Sequence, residues 1–224
     1  MRSTTLAVLC LLAASPALAQ STYAGASVLG EVTRVGGTET SGLTDFPRGD
    51  GEALGFALRV GTSLGDRWGV ELEFVRPSAI EDEAQPRVTP LPIPIPRFDF
   101  RPTLQYDVRL RQRITSLATV AWLRQYVAQK VDMVYLAGAA FHHVAQETRV
   151  EFDPRLVFPV IPALGLGFVV IPSTNTVSYR VGPVVGLEAH IALTEHLTFV
   201  PGARLYGMSG GLIVRAGAGA AWSF

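Results

Sequence analysis

The sequence has few of the residues that build disulfides, metal centres and catalytic sites. It contains one cysteine and four histidines among 224 residues. One cysteine cannot form a disulfide within the chain, and it cannot by itself supply a cysteine-based metal site. Basic and acidic residues number 19 each, so no basic excess is present for nucleic-acid binding. No phosphate-binding loop or dinucleotide fingerprint occurs, and the sequence therefore predicts no cofactor.

Long apolar runs are also scarce, and the clearest one lies at the N-terminus. There Arg2 precedes a short apolar segment and an A-x-A cleavage site that ends at Ala19, which is the pattern of a secretory signal peptide. We predict that residues 1–19 are removed and that residues 20–224 form one domain. Removal takes away Cys10 and leaves 18 basic and 19 acidic residues, a net charge near −1.

The mature chain is apolar without containing a convincing membrane helix. Hydrophobic residues make up 48% of the sequence and charged residues 17%, which is apolar for a soluble protein. The best candidate for a helix, residues 157–171, is too short and is interrupted by Pro159 and Pro162. A secreted chain of this kind can enter lipid as a closed β-barrel, in which all backbone polar groups are paired.

Apolar residues alternate with small or polar ones along most of the chain, which is the period of a β-strand. Three similar short segments, residues 64–68, 127–131 and 193–197, predict tight hairpin turns between such strands. With a first and a last strand added, the pattern gives eight strands joined alternately by short turns and long loops. The apolar row holds the large aliphatic and aromatic residues, so we predict that it faces lipid while the polar row faces inward.

Two stretches are harder to interpret. Residues 77–102 contain the run PLPIPIPRF, and because proline cannot donate to a sheet we predict a long unpaired loop. In the strand that follows, apolar residues occupy even positions up to Leu110 but odd positions from Leu117 onward. We therefore predict a bulge near Arg113 that exchanges the two faces of this strand.

The final strand, residues 212–224, alternates regularly and ends in Trp222 and Phe224. It resembles the closing strand of bacterial outer-membrane β-barrels, whose terminal phenylalanine and alternating apolar residues are read by the barrel-insertion machinery. The mature chain as a whole resembles the small eight-stranded barrels of the OmpA, OmpX and opacity-protein type. This resemblance implies an all-β, eight-stranded antiparallel up-and-down transmembrane β-barrel. It also implies contact with outer-membrane lipid and the insertion machinery, with both mature termini in the periplasm.

Several charged residues fall on the predicted inner face. An eight-stranded barrel is only wide enough for side chains to fill it, and buried charges need partners. We therefore interpret this set as a structural ion-pair network rather than as a proton path or a catalytic site. His142 and His143 are adjacent and must face opposite sides of a strand, so no metal site is predicted. The predicted interior charges are Glu31, Arg59, Glu71, Glu73, Glu188, His190, Arg204 and Arg215.

Two of the predicted outer loops combine proline with apolar residues, although exposed loops are normally polar. We predict a non-enzymatic scaffold that displays these loops to an envelope protein or an apolar ligand. Alternatives are loops that only cap the barrel mouth, a rim enzyme that modifies lipid, and a narrow channel. No serine has a histidine and an acid at suitable spacing on one rim, which disfavours the enzyme. The candidate contact residues are Ile93, Ile95, Phe98, Phe158, Ile161, Leu164 and Phe168.

Overall fold

The computed structural model describes residues 21–35, 50–90, 103–152 and 173–224. No helix within these ranges is long and apolar enough to cross a membrane. The predicted signal peptide lies outside the described residues. The strands are β1 (Ser21–Val35), β2 (Gly51–Ser63), β3 (Trp68–Pro77), β4 (Ile80–Pro90), β5 (Thr103–Ala128), β6 (Val131–Phe152), β7 (Thr174–Ala192), β8 (Leu197–Met208) and β9 (Gly211–Ser223).

The strands form one antiparallel sheet that closes on itself. Their order is β3-β2-β1-β9-β8-β7-β6-β5-β4, and β3 also pairs with β5. Along one edge of β5, β3 lies beside Ser116–Leu123 and β4 lies beside Thr103–Gln112. The strand β4 therefore continues the wall that β3 begins, and the result is a closed eight-stranded barrel with one extra strand. The predicted fold class is confirmed.

The wall changes register where β3 gives way to β4. Arg76 and Ser78 are exposed on the outer face, whereas Ile80 is buried and Glu81 is exposed, so the outward positions switch from even to odd. Our prediction of an unpaired loop over residues 77–102 was therefore wrong for β4. Proline is tolerated here because Pro86 falls within the register shift between β4 and β5, where ladder hydrogen bonds are interrupted.

The predicted bulge near Arg113 was also wrong. The pairing of β5 with β6 runs without a register shift from Tyr106–Phe152 to Tyr126–Asp132. Even-numbered residues of β5 from Leu110 to Trp122 are buried inside the barrel throughout. The alternation looked broken because the outer row of β5 is charged from Arg109 to Arg113 and becomes apolar only from Leu117 onward, while the inner row already carries hydrophobic residues such as Leu110 and Ile114.

The three predicted tight turns are confirmed, at residues 64–67, 129–130 and 193–196. The outer face carries a belt of exposed apolar side chains, which is the arrangement of a barrel in lipid. On β5 the uncharged outer row runs from Thr115 to Gln125, which matches the roughly 9–11 residues that cross a bilayer when a strand is tilted. The belt includes Val28, Leu54, Phe56, Leu58, Trp68, Phe74, Leu117, Leu123, Tyr135, Phe141, Val181, Leu187, Phe199 and Trp222.

The barrel is taller on one side than on the other. The strands β5, β6 and β7 contain 26, 22 and 19 residues, whereas β8 and β9 contain 12 and 13. The extra length lies at the end opposite the three tight turns. We call β4–β7 the tall wall, and we call β8, β9, β1 and β2 the short wall. On the tall wall, β6 continues to Phe152.

Candidate functional site

A cluster of buried charges fills the interior beside the short wall, with further members on β3 and β7, and Arg204 lies at its centre. The Nη2 atom of Arg204 donates to Glu71 Oε1 and to Glu188 Oε1, both at 2.7 Å. Its Nη1 atom lies 3.0 Å from Glu73 Oε2, outside hydrogen-bonding geometry. Arg59 Nη1 donates to both oxygens of Glu188 at 3.0 Å. Buried charges are tolerated only when they are paired in this way.

Two tyrosine hydroxyls complete the cluster. Tyr23 donates to Glu71 Oε2 at 2.6 Å, and Tyr206 donates to Glu73 Oε1 at 2.5 Å. Sequence reasoning missed Tyr23 as a partner. The available signal was its position, because it shares the odd-numbered row of β1 with Glu31. These hydroxyls bind carboxylate oxygens that Arg204 leaves free, so burial leaves fewer polar atoms unsatisfied.

A second ion pair joins the first strand to the last. Arg215 Nε donates to Glu31 Oε2 at 2.7 Å, and the two residues face each other in the β1–β9 register. The hydroxyl of Thr33 donates to Glu31 Oε1 at 2.9 Å. The Arg215 guanidinium lies 4.5 Å from the centre of the Tyr206 ring, so the second pair contacts the first cluster. This pair therefore lies across the seam that closes the barrel.

His190 is the least buried of the predicted interior residues that the structure places in this cluster. Its Nε2 atom lies 3.3 Å from Glu188 Oε2, and its side chain is 15% exposed, compared with 4% for Glu188. Besides His190, the predicted set contains four glutamates and three arginines.

Small inward residues make room for these long side chains. A Cβ atom placed on Gly202 would lie 2.5 Å from Glu188 Cγ, and one placed on Gly61 would overlap the ring of Tyr23. Glycine in a strand interior marks such close approaches. A cavity of about 30 Å³ remains beside the cluster, which is large enough to hold a water molecule. Its lining includes Ser27, Arg59, Glu73, Glu188, Arg204 and Arg215.

The other half of the interior, beside β5 and β6, is apolar. We predicted that the row of small or polar residues faces inward, but on these strands the inner row is mainly hydrophobic. Most inward positions on these strands are hydrophobic and buried, so this part of the interior is packed as in a soluble core. The apolar half consists of Ile114, Ala118, Val120, Trp122, Val134, Leu136, Ala140, Val144, Val184, Met208 and Ile213, with Tyr206 at its border with the charged cluster.

A serine–histidine pair that sequence reasoning did not identify lies in this apolar half. Ser116 Oγ is 2.8 Å from His142 Nδ1, because the two residues face each other in the β5–β6 register. Both side chains are buried, and the ring of Tyr206 packs against His142. Lipid at the rim cannot reach them, so the pair does not form the convergent site of a lipid hydrolase. His143 faces outward and packs against Tyr179, as its position next to His142 predicts.

The remaining predicted sites lie at the barrel ends. Trp222 and Phe224 are exposed on the outer face, and Phe224 N donates to Thr22 O at 2.9 Å. The ring of His196 stacks on Trp222 at 5.5 Å. Recognition of these residues by the insertion machinery stays a prediction. Within the described ranges no three potential ligands form a metal site. The candidate loop residues Ile93, Ile95, Phe98, Phe158, Ile161, Leu164 and Phe168 lie outside the described residues.

Solved structures of similar shape are barrels of the bacterial outer membrane. No protein-family model and no curated protein matches the sequence. Ail, the attachment invasion locus protein of Yersinia pestis, aligns with a TM-score of 0.50 at 11% identity over 91% of this chain and 98% of that chain.

Two further structures align less closely. OprG from Pseudomonas aeruginosa gives a TM-score of 0.46 at 11% identity, over 92% of this chain and 97% of that one. Neisserial surface protein A aligns with a TM-score of 0.45 at 10% identity, over 91% of this chain and 97% of that one. The closed sheet, the outward apolar belt and the similarity to Ail together show that this chain has the fold of the small eight-stranded bacterial outer-membrane β-barrels.

Proposed function

We propose that this chain is a non-enzymatic outer-membrane barrel that anchors and displays its long connecting loops. The observation that supports this proposal most directly is the filled interior. The charged cluster and the apolar half meet around Tyr206, which leaves no room for a wide pore in the described part of the barrel. The charges of the cluster bind one another instead of lining a substrate site, so the interior serves to stabilise the wall.

The proposal also states in which membrane the barrel lies and which of its ends faces the periplasm. Ser21 pairs with Ser63 next to the first tight turn, and Ser223 N donates to His196 O in the third turn. Both ends of the described barrel therefore lie on the side of the short turns. Short turns face the periplasm in bacterial barrels, so we place this side there and the tall end outside the cell. Residues 1–19 act as the signal peptide in this scheme, and residues 20–224 are the mature barrel.

The displayed surface is the pair of apolar, proline-containing connections at the tall wall. Residues 91–102 join β4 to β5, and residues 153–172 join β6 to β7. Both connections therefore start and end on neighbouring strands of the same wall. We propose that they bind an envelope protein or an apolar ligand, since proline lowers the conformational entropy lost on binding.

Loop replacement tests the display role. Replacing residues 156–171 with a Gly/Ser linker of equal length should leave a barrel that inserts and shows heat-modifiable electrophoretic mobility, but that loses its copurifying partner. The matched control replaces residues 36–49, the connection between β1 and β2. Loss of thermal stability alone, with the partner retained, would show that the loop is only a lid.

Two measurements test the absence of enzymatic and channel activity. Lipid A from cells with and without the protein should give the same acyl pattern by mass spectrometry, and an altered pattern would favour a lipid-modifying enzyme. Purified protein in planar bilayers should give no steady porin-like current. A large stable conductance would contradict the filled interior and support a channel.

A further inference from the structure

Two arginines lie directly opposite each other on the inner face of the short wall. Arg204 on β8 and Arg215 on β9 are partners in the β8–β9 register, and both side chains are buried. Like charges directly opposite each other on one face of a sheet repel. The two guanidinium groups therefore need further interactions that hold them next to each other inside the barrel. We call Arg204 and Arg215 the arginine pair.

The known hydrogen bonds of the arginine pair leave one nitrogen of each guanidinium over. Arg204 donates through Nε and Nη2 to carboxylates of the cluster. Arg215 donates through Nε to Glu31, and through Nη2 to the backbone oxygen of Ile114 at 3.2 Å. Among the residues that the structure describes, neither Nη1 atom has a hydrogen-bond partner, although both are buried. An unsatisfied donor on a buried charged group is costly, so a further acceptor is expected beside each of them.

Both members of the arginine pair line the same small cavity. It is the cavity of about 30 Å³ beside the charged cluster, and its lining also includes Glu73 and Tyr206. A space of this size can hold a water molecule. Cavities with apolar walls stay dry, whereas a cavity with several polar partners holds ordered water. The guanidinium and carboxylate groups in the lining place this cavity in the second class.

Glu73 supplies an acceptor on the same side of the cavity. Its Oε1 atom accepts from the hydroxyl of Tyr206 at 2.5 Å. Its Oε2 atom lies 3.0 Å from Arg204 Nη1, but outside hydrogen-bonding geometry. A molecule in the cavity that accepts from both Nη1 atoms and donates to Glu73 Oε2 would make three hydrogen bonds. Three is the typical number for a buried water molecule.

Charge distinguishes a water molecule from a small anion as the occupant. Two guanidinium donors could in principle bind chloride. The carboxylates of Glu73 and Glu188 line the same cavity, however, and they have no proton to donate and repel an anion. The predicted interior set contains four glutamates against three arginines, so it has no excess of arginine charge to attract one. The cavity therefore fits a neutral molecule that both accepts and donates hydrogen bonds.

We propose that this cavity is a binding site for one water molecule, which accepts from Nη1 of Arg204 and of Arg215 and donates to Glu73. The water molecule joins the Glu31–Arg215 ion pair at the seam to the cluster around Arg204 by hydrogen bonds. It thereby adds to the packing of the Arg215 guanidinium on the ring of Tyr206. This inference depends neither on the membrane in which the barrel lies nor on the display of loops.

Crystallography of the detergent-purified barrel in sodium bromide tests the proposal without any variant. The electron density should show one peak within about 3.2 Å of both Nη1 atoms, with no anomalous signal at the bromine absorption edge. An anomalous peak at this position would identify an anion and overturn the proposal. Absence of density, at a resolution that shows ordered water elsewhere in the barrel, would also overturn it.

A variant that fills the cavity tests what the water molecule contributes. Val200 is buried in the lining, and Val200→Ile adds one methylene there. The density peak should disappear, and the urea midpoint of unfolding in lipid vesicles should fall, because both Nη1 donors lose their acceptor. Filling a dry cavity stabilises a protein instead, so a higher midpoint would overturn the proposal. The matched control, Val200→Thr, keeps the shape of the side chain and should retain the peak. Loss of the peak in this control would contradict a site held by the arginine pair.

Discussion

The two halves of the barrel interior are stabilised by different interactions. The half beside the short wall depends on specific pairs, such as Arg204 with Glu71 and Glu31 with Arg215, in which each charge needs its partner. The half beside β5 and β6 depends on apolar side chains such as Leu136 and Trp122 that need only volume and shape. The comparison shows that one small barrel can combine a directional polar network with a soluble-type core, and that the two should respond differently to mutation.

The largest loss of folded protein is expected from changes that prevent insertion, because neither half of the interior can then form. Deleting Phe224, or changing Trp222 to Asp, should leave unfolded protein in the periplasm, because both residues end the outward row expected to direct insertion. The Asp variant also places a charge on the lipid-facing surface. Electrophoresis of membrane fractions with and without heating measures the folded fraction. Normal heat-modifiable mobility of both variants in membranes would refute this prediction, and Phe224→Tyr serves as the conservative control.

Removing the central cation of the charged half should cause the next largest loss, measured as the free energy of unfolding. Arg204→Met removes a cation from three carboxylates, and breaking a buried ion pair of this kind costs about 3–5 kcal/mol. Urea unfolding in lipid vesicles measures the change. Adding Glu71→Gln and Glu73→Gln to the same chain should recover part of the loss, because Glu188 keeps Arg59 as its partner. If Arg204→Met lowered the free energy of unfolding by less than about 1 kcal/mol, the ion pairs of Arg204 with the three carboxylates would not stabilise the barrel.

Shortening a side chain in the apolar half should lower the free energy of unfolding by less. Changing a charged residue elsewhere should not restore this loss. Leu136→Ala removes buried methyl groups, with an expected loss of about 2–5 kcal/mol depending on how far the cavity collapses. The same unfolding assay applies. Leu136→Met, which nearly preserves the volume, should cost less than about 1.5 kcal/mol. Equal losses for the two variants would argue against a packed core in this half.

The smallest loss of stability is expected for a change at Tyr206, where the two halves meet. Tyr206→Phe deletes one hydroxyl that donates to Glu73, and a hydrogen bond to a charged group contributes about 1.5–3 kcal/mol. The ring should keep its packing against His142 and Arg215. Unfolding of Tyr206→Phe together with Glu73→Gln supplies the double-mutant cycle. Strict additivity of the two changes would show that the hydroxyl and the carboxylate do not interact.

The charged half was easier to predict from the sequence than the apolar half, for a physical reason. A charged residue on one row and an aliphatic residue on the other give strong alternation, so strands such as β2 and β3 could be assigned with their faces. In β5 the outer row changes from charged at Arg109–Arg113 to apolar from Leu117 onward while the inner row stays largely apolar, so period alone cannot distinguish the lipid-facing row from the core-facing row. This is why a bulge near Arg113 was predicted where the strand is continuous.

Contacts between distant strands could not be predicted at all. The sequence pattern places Arg204 and Glu71 on the inner face, but only the register and the closure of the barrel bring them within 2.7 Å. The Ser116–His142 pair joins the consecutive strands β5 and β6, and its register depends on a shift between Tyr126 and Ala128 that the sequence pattern does not show. The strand β4 was missed because proline was taken to exclude pairing, although Pro86 lies in a register shift.

The ion pair across the seam has a consequence for how the chain is completed. Glu31 lies on the first strand, and its cation, Arg215, is 184 positions later on the last. Contacts of such wide sequence separation form late in folding, because the entropy of closing the intervening loop must be overcome first. A chain cut short before the last strand would contain Glu31 without Arg215 and could not bury this carboxylate at low cost. The seam pair thus makes closure depend on a full-length chain, so that a truncated product is left open and accessible to proteolysis.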